Sequence, residues 1–352
     1  MADYNPVMFT LARESRGKTQ QALAEEVGLA QGTLSKIEAG LTTPNDTAVH
    51  LIAEALDYPD TLFKQNLTYR NLPVTFYRKQ KTLPATAAKR IQATINIRQL
   101  QLRRLLASVD LPSTNVPVVD LEAYEGGVER LAREVRIRWH VPPGPIGNVT
   151  RLFEENGVLI VPFEFGSRKI DGVSIHESAT GLPPVIFVSQ TIPGDRLRWT
   201  LVHELAHIIL HHHLPLPPED SELEADHFAS EFLLPRSEIR GQLGRLSLQN
   251  LANLKLHWKV SMQALIMRAF ALGAITEGAR KNLFAMFGRY GYRRNEPVTI
   301  EREEPVLVEQ TIQTYLTDLG YSAPQLREVL LTKNSEFLGK AATTGRGLRI
   351  VR

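Results

Sequence analysis

The chain has no cysteine in its 352 residues. That excludes disulfides and every metal site built on thiolates, zinc fingers and iron–sulfur clusters included. It also fits a reducing compartment, so a cytoplasmic location is expected. Long apolar runs are missing as well. Nowhere do about 18 apolar residues follow one another, so no membrane span and no membrane partner are expected. Arg13 and Glu14 interrupt the opening segment MADYNPVMFTLARESRG, which does not read as a signal peptide. Excess charge of either sign is small. Lys and Arg number 41 against 38 Asp and Glu, a weak pull on an acidic partner. Acids are scarce in one stretch only. From Leu67 to Asp110 the basic residues are Arg70, Arg78, Lys79, Lys81, Lys89, Arg90, Arg98, Arg103 and Arg104, and Asp110 is the sole acid. Residues 1–66 are net acidic, so the basic footprint follows the first domain rather than lying in it.

What is present is hydrophobic periodicity of two kinds. Residues 7–63 read as five short helices: Val7–Ser15, Gln20–Val27, Gln31–Ala39, one from Pro44–Asn45 to Leu56, and Asp60–Phe63. Thr19 is placed to N-cap the second and Gly28 to end it. Ala85–Val109 has no Gly or Pro and repeats apolar residues at helical spacing, at Ile91, Ile95, Leu102, Leu105 and Leu106. Further on, helices are expected at Val128–Trp139 and Pro145–Asn156, then short strands at Val158–Pro162, Val173–His176 and Val185–Ser189. Helices follow at Asp195–His212 and Ser221–Leu234, and residues 246–290 read as all helical. The class is mostly α with a small β-sheet, an α+β pattern. The expected division is 1–66, an all-α N-terminal domain; 67–125, a basic linker and long helix; 126–240, an α+β domain; and 241–352, a helical C-terminal region. Ser247–Ala271 is expected to pack as a lid, with a second helix-turn-helix as the alternative. Residues 301–352 carry no recognisable chemistry.

Within WTLVHELAHIILHHH stands His203-Glu204-Leu205-Ala206-His207, an H-E-x-x-H. On a helix, positions i and i+4 share a face, so both imidazoles can address one ion. Glu204 lies beside them, suited to general base work on a water that a metal activates. A third ligand has more than one candidate. Glu222, in E-L-E-A-D-H-F-A, would complete a His₂Glu set, with Asp226 one turn on to orient a ligand histidine. Glu224 competes nearby, about 200° round the helix. His213 has the spacing of a third histidine, yet Leu210 occupies the place of the glycine that such a pattern needs. His211 and His212 are expected at the surface.

The segment R-x-R-W-T-L-V-H-E-L-A-H-I-I-L-H with E-L-E-A-D-H-F-A-S-E-F-L-L-P resembles the ImmA/IrrE metallopeptidases. The likeness extends to a helix start at Gly144-Pro145-Ile146 and a strand opening at Asp171-Gly172-Val173-Ser174. It covers about residues 125–240. It implies a gluzincin-like peptidase domain, Zn²⁺ held by His203, His207 and Glu222, and Glu204 as general base. It also implies a protein substrate, a DNA-binding repressor or regulator cut in a stress or mobile-element response. His176 and Arg196 stand as candidates for transition-state stabilisation beside ordinary surface roles.

Likewise T-Q-Q-A-L-A-E-E-V-G-L-A-Q-G-T-L-S-K-I-E-A-G resembles the Cro/repressor-type (XRE) helix-turn-helix, through Thr19, Gln20, Leu23, Ala24, Gly28, Leu34, Ile37, Glu38 and Gly40. The exposed side of its second helix would be Gln31, Gly32, Thr33, Ser35 and Lys36. Gln31 suits bidentate pairing with adenine, and Gln20 would meet phosphate. A helical bundle used only for protein contacts is the alternative. Together these features describe a transcriptional regulator that binds double-stranded operator DNA, as a homodimer in the manner of XRE domains. Its zinc metalloendopeptidase domain would cleave a partner of repressor or antitoxin type encoded nearby. The rival is a non-catalytic transcription factor or antitoxin whose peptidase-like domain senses a ligand or partner.

Overall fold

A computed structural model describes residues 4–67, 83–176, 181–212, 214 and 219–333. The chain forms two compact units, one of residues Met1–Leu111 with Leu307–Arg352, the other of Pro112–Val306. Packing therefore groups residues differently from the composition boundaries at 66, 125 and 240.

The first unit opens with four helices: α1 Pro6–Ser15, α2 Gln20–Glu26, α3 Gln31–Glu38 and α4 Asp46–Ala55. A 3₁₀ turn, Asp60–Lys64, follows. Side-chain caps start three of the helices: Asn5 accepts from Val7 N, Thr19 from Ala22 N and Asn45 from Ala48 N. Gly28, with φ +69°, ends α2 in the left-handed region, and Leu29 N returns to Ala24 O at 2.9 Å. A side chain there would be strained. The core gathers Met8, Leu11, Leu23, Leu34, Ile37, Val49 and Ile52, with Phe9 stacked on Phe63 at 4.5 Å. The long helix α5, Ala85–Leu106, belongs to this unit: Ala93, Ile97 and Leu100 join the same core. At its far end Leu105 and Val109 pack with Ile312, Tyr315, Leu326 and Leu330. Those come from two later helices, Leu307–Thr317 and Ala323–Val329. Arg104 Nε ties the junction by donating to Val329 O at 2.6 Å. Of the basic stretch, Arg70, Arg78, Lys79 and Lys81 lie outside the described residues.

The second unit runs α6 Gly127–Arg138, α7 Val149–Glu155, β1 Leu159–Phe163, β2 Gly172–Ile175, β3 Val185–Ser189, α8 Gly194–Leu210 and α9 Ser221–Leu233. After a short helical turn at Arg236–Ile239 that runs into a 3₁₀ turn at Arg240–Gln242 come α10 Leu248–Trp258, α11 Met262–Ala271 and α12 Glu277–Tyr290. The sheet order is β1-β3-β2, with β1 parallel and β2 antiparallel to β3. Central β3 is buried at every position, and Pro162 sits on edge strand β1, where its missing N–H is tolerated. Helix α8 is buried for most of its length, its polar residues Asp195, Arg198, Thr200, His203, Glu204 and His207 included, so it threads the core instead of lying on it. Around it, Trp139 meets Phe153 and Phe232 edge-on at 5.3 and 6.0 Å. Helices α10 and α11 share this core through Leu251, Trp258, Met262, Leu265 and Ile266, which makes them part of the second unit's core rather than a separate helix-turn-helix.

One expected helix start is corrected. Gly144-Pro145-Ile146 does not open α7; Asn148 caps it, accepting from Arg151 N. The Gly144 segment is instead a turn held by side chains. Its carbonyls receive Arg136 and Arg198, and Gly144 N donates to Glu238.

Candidate functional site

Helix α8 carries His203, Glu204 and His207, which are 8%, 4% and 1% exposed. Helix α9 brings Glu222 opposite them. His203 Nε2 and His207 Nε2 lie 3.1 Å apart, and each is 3.4 Å from a Glu222 oxygen. Ligand atoms of the three residues all fall within 4.8 Å of one another, the metal-capable cluster found among the described residues. Tetrahedral bonds of about 2.0–2.2 Å place ligand atoms roughly 3.3–3.6 Å apart, so the donor set and its spacing fit a zinc-sized cation.

Both imidazoles are held with Nε2 turned to the cluster. His203 Nδ1 is 2.9 Å from Asp226 Oδ1, and Trp199 Nε1 donates to the same oxygen at 3.4 Å. A carboxylate only accepts, so His203 carries its proton on Nδ1 and its Nε2 lone pair is available. Partial burial works to raise the Asp226 carboxyl, but the hydrogen bond and charge of His203 hold it below the usual aspartate range.

His207 is oriented through two further residues. His211 Nε2 lies 2.9 Å from Glu224 Oε2, and His211 Nδ1 lies 2.8 Å from His207 Nδ1. With Glu224 accepting, His211 donates from Nε2 and accepts at Nδ1. His207 then donates from Nδ1 and keeps Nε2 bare. This corrects the expectation that His211 faces solvent, while His212 is half-buried. His211 is 3% exposed, because it continues the face of His207 just beyond the helix end and meets a carboxylate from α9. Burial, with the neighbouring His207 and His212, pushes its pKa down to about 3. His212 is also down to about 3, chiefly through burial. Glu224 thus serves His211, while Glu222 faces the cluster. His213 lies outside the described residues.

The carboxylate of Glu204 is anchored from the sheet. Ser174 on β2 donates to Glu204 Oε2 twice, from its backbone N at 2.9 Å and its hydroxyl at 2.7 Å. Close approach of strand and helix requires Gly172: a Cβ there would stand 2.7 Å from Thr200 Cγ2 and 3.2 Å from Glu204 Cγ. Of the other candidates, Arg196 pairs with Asp171 at 2.5 Å on the surface. His176 stays half-buried, lowered in pKa by desolvation, with Nδ1 buried and unbonded among the described residues. Sequence reasoning places Glu224 only as a rival metal ligand and misses Ser174, His211 and His212 as members of the site. Ser174 stands within the Asp171-Gly172-Val173-Ser174 strand opening and His211 at i+4 from His207, the traces that they leave.

In the first unit Gln31, Gly32, Thr33 and Lys36 are exposed on α3, and Ser35 is half-buried. Gln31 Nε2 donates to Gln20 Oε1 at 3.0 Å, and Gln20 Nε2 to Glu38 Oε2 at 2.9 Å. Arg13 clamps Glu38 with Nε at 2.6 Å and Nη2 at 2.8 Å. The two glutamines are thereby aimed from a buried ion pair, at the exposed N-terminal end of the helix suited to a DNA groove.

Among the described residues no helix is long and apolar enough to cross a membrane. A search of curated proteins finds no match to this chain. Family comparison matches residues 11–63 to the helix-turn-helix family and residues 153–270 to the IrrE N-terminal-like domain family. The chain is therefore a fusion of an XRE-type helix-turn-helix DNA-binding domain with a peptidase-like domain of the ImmA/IrrE family.

Proposed function

We propose that this protein is a DNA-binding transcriptional regulator whose second domain is a zinc endopeptidase acting on a partner regulatory protein of repressor or antitoxin type. The observation that carries the reading is the convergence of His203, His207 and Glu222 beside the anchored carboxylate of Glu204. His203, His207 and Glu222 would hold Zn²⁺, with Asp226 fixing the tautomer of His203. A zinc ion there supplies Lewis acidity, which polarises a peptide carbonyl and makes water acidic enough to attack near neutral pH. Glu204 takes the proton of the attacking water on a carboxylate oxygen and returns it to the leaving amine nitrogen. Burial of the three helix residues excludes bulk water and strengthens each of these interactions.

In the first domain Gln31, Gly32, Thr33, Ser35 and Lys36 meet the major groove and Gln20 a phosphate. Residues 1–66 are net acidic and offer few phosphate contacts, so binding to an operator is by a homodimer on a two-fold site. Fusion raises the local concentration of a substrate that gathers at the same DNA.

The experiment mixes purified protein and Zn²⁺ with the regulator encoded beside its gene, next to a Glu204→Gln control. Wild type should cut the regulator and the control should leave it whole. An intact regulator in both would replace this reading with a sensing domain that lacks turnover.

A further inference from the structure

We propose that Ser174 and His212 are positioning residues for Glu204, joined to it by a one-way chain of hydrogen bonds that sets which carboxylate oxygen handles the proton. The inference rests on the reading of Glu204 as the proton-moving group.

The direction of the chain follows from its far end. The backbone N–H of His176 can only donate, and it donates to His212 Nδ1 at 3.1 Å. A ring nitrogen that accepts carries no proton, so the imidazole of His212 bears its single proton on Nε2. Nε2 stands 3.2 Å from Ser174 Oγ and donates to it. The hydroxyl proton of Ser174 is then directed to Glu204 Oε2, 2.7 Å away, where the Ser174 backbone N–H also arrives at 2.9 Å. Backbone N–H groups that cannot reverse, of His176 and of Ser174, stand at the two ends of the chain. Both lone-pair directions of Oε2 are used by donors, so a proton taken up by Glu204 goes to Oε1.

The scaffold holds this arrangement rigidly. Ser174 is paired with Ile186 in the sheet register and is 2% exposed. Gly172, two residues earlier on the same strand, lies against Glu204 Cγ, so the carboxylate has β2 along its stem as well as at its tip. His212 follows the last turn of α8 and reaches back across to β2, 38 residues away in sequence. Its hydrogen bond therefore closes a loop between the helix that bears Glu204 and the strand that grips it.

The test has two arms, both on the full chain. In the first, the tautomer of His212 is read by nitrogen-15 NMR of histidine-labelled, metal-free protein at neutral pH. A proton on Nε2 is expected; a proton on Nδ1, or on both nitrogens, overturns the proposal. In the second, Zn²⁺-loaded variants act on the regulator encoded beside the gene. Ser174→Ala and His212→Leu should lower kcat about tenfold or more, with KM and bound zinc unchanged. His212→Gln, whose amide reaches the Nε2 position, should restore most of the rate. His212→Asn, which reaches only the His176 end, should not. Equal rates for the Gln and Asn variants would mean His212 merely caps a strand, and would overturn the proposal. Should His212→Leu fail to fold, Ser174→Ala, which deletes one oxygen, carries the comparison. A wild-type chain no faster than Glu204→Gln refutes the endopeptidase reading instead, and the tautomer then decides the chain of hydrogen bonds by itself.

Discussion

Replacing Gly172 by alanine tests how closely strand and helix meet. The added methyl would stand 2.7 Å from Thr200 Cγ2, whereas carbon atoms in good contact sit about 3.5–4.0 Å apart. Strand β2 must therefore retreat from α8 by about 0.8–1.3 Å, or its neighbours must bend. It is not free to do so locally, since Gly172 to Ile175 are in register with Val188 to Val185. A retreat of that size stretches the bonds from Ser174 to Glu204, now 2.9 and 2.7 Å, past useful hydrogen-bond range. Overpacking costs about 1–3 kcal/mol and weakening a hydrogen bond to a charged group about 1.5–3 kcal/mol. The expected destabilisation is about 2.5–6 kcal/mol, a fall in Tm on the order of 5–20 °C for a unit of this size. Thermal unfolding of the metal-free chain, followed by circular dichroism, measures it. Gly241→Ala is the control, because a methyl there meets nothing within 4 Å, and its effect should stay within about 0.5 kcal/mol. A Gly172→Ala protein that melts with the control and cleaves at the wild-type rate would refute the close packing of β2 on α8 and the positioning of Glu204 drawn from it.

Elemental analysis should find about one zinc per wild-type chain, lost in both His203→Ala and Glu222→Ala. Zinc retained by the second variant would move the third ligand to another residue. Asp226→Ala should weaken zinc about 10–100-fold in a competition with a chelator, through loss of the Nδ1 partner of His203; unchanged affinity would remove Asp226 from the centre. His212 is held near 3 in the folded chain and titrates near 6.5 when unfolded. Its folded pKa is the lower one, so its contribution to stability is complete above about pH 6.5 and drains as pH falls toward 3, by about 1.4 kcal/mol per pH unit. Urea titrations across that window should show a flatter pH dependence for His212→Gln than for wild type; parallel curves would contradict a neutral His212 ring in the folded chain. Gln31→Ala should cost about 1–3 kcal/mol in operator affinity and relax the sequence preference, read by binding titration at fixed salt.

Local chemistry made much of this legible from the chain alone. Thr19, Asn45 and Gly28 mark helix ends because capping is decided within a few residues, and α2 begins where its cap stands. His203 and His207 share a face by helix periodicity, and Asp226 and Glu222 share one by the same rule. What stayed hidden depends on residues distant in sequence. Nothing near His211 announces Glu224 as its partner, because α9 has to fold back on α8 first. Nothing near Ser174 announces His212, because a strand edge and the end of a helix must be brought together. The Gly144 turn resembled a helix start because Gly-Pro suits either; Arg136, Arg198 and Glu238 settle it by binding its backbone. The tail of the chain was obscure for a similar reason. The helix Leu307–Thr317 buries Leu307, Thr311, Ile312, Thr314 and Tyr315, a stripe rich in threonine that periodicity of apolar residues passes over.

That tail has a consequence for synthesis. Leu105 and Val109 emerge from the ribosome early, but their partners Ile312, Tyr315, Leu326 and Leu330 come some two hundred residues later, after the whole Pro112–Val306 unit. At a translation rate of about 5–20 residues per second, the apolar end of α5 waits on the order of ten seconds or more for its cover. A chain cut short within its last helices would finish its peptidase-like unit and still present that uncovered end, so such truncations should surface as chaperone clients and aggregates.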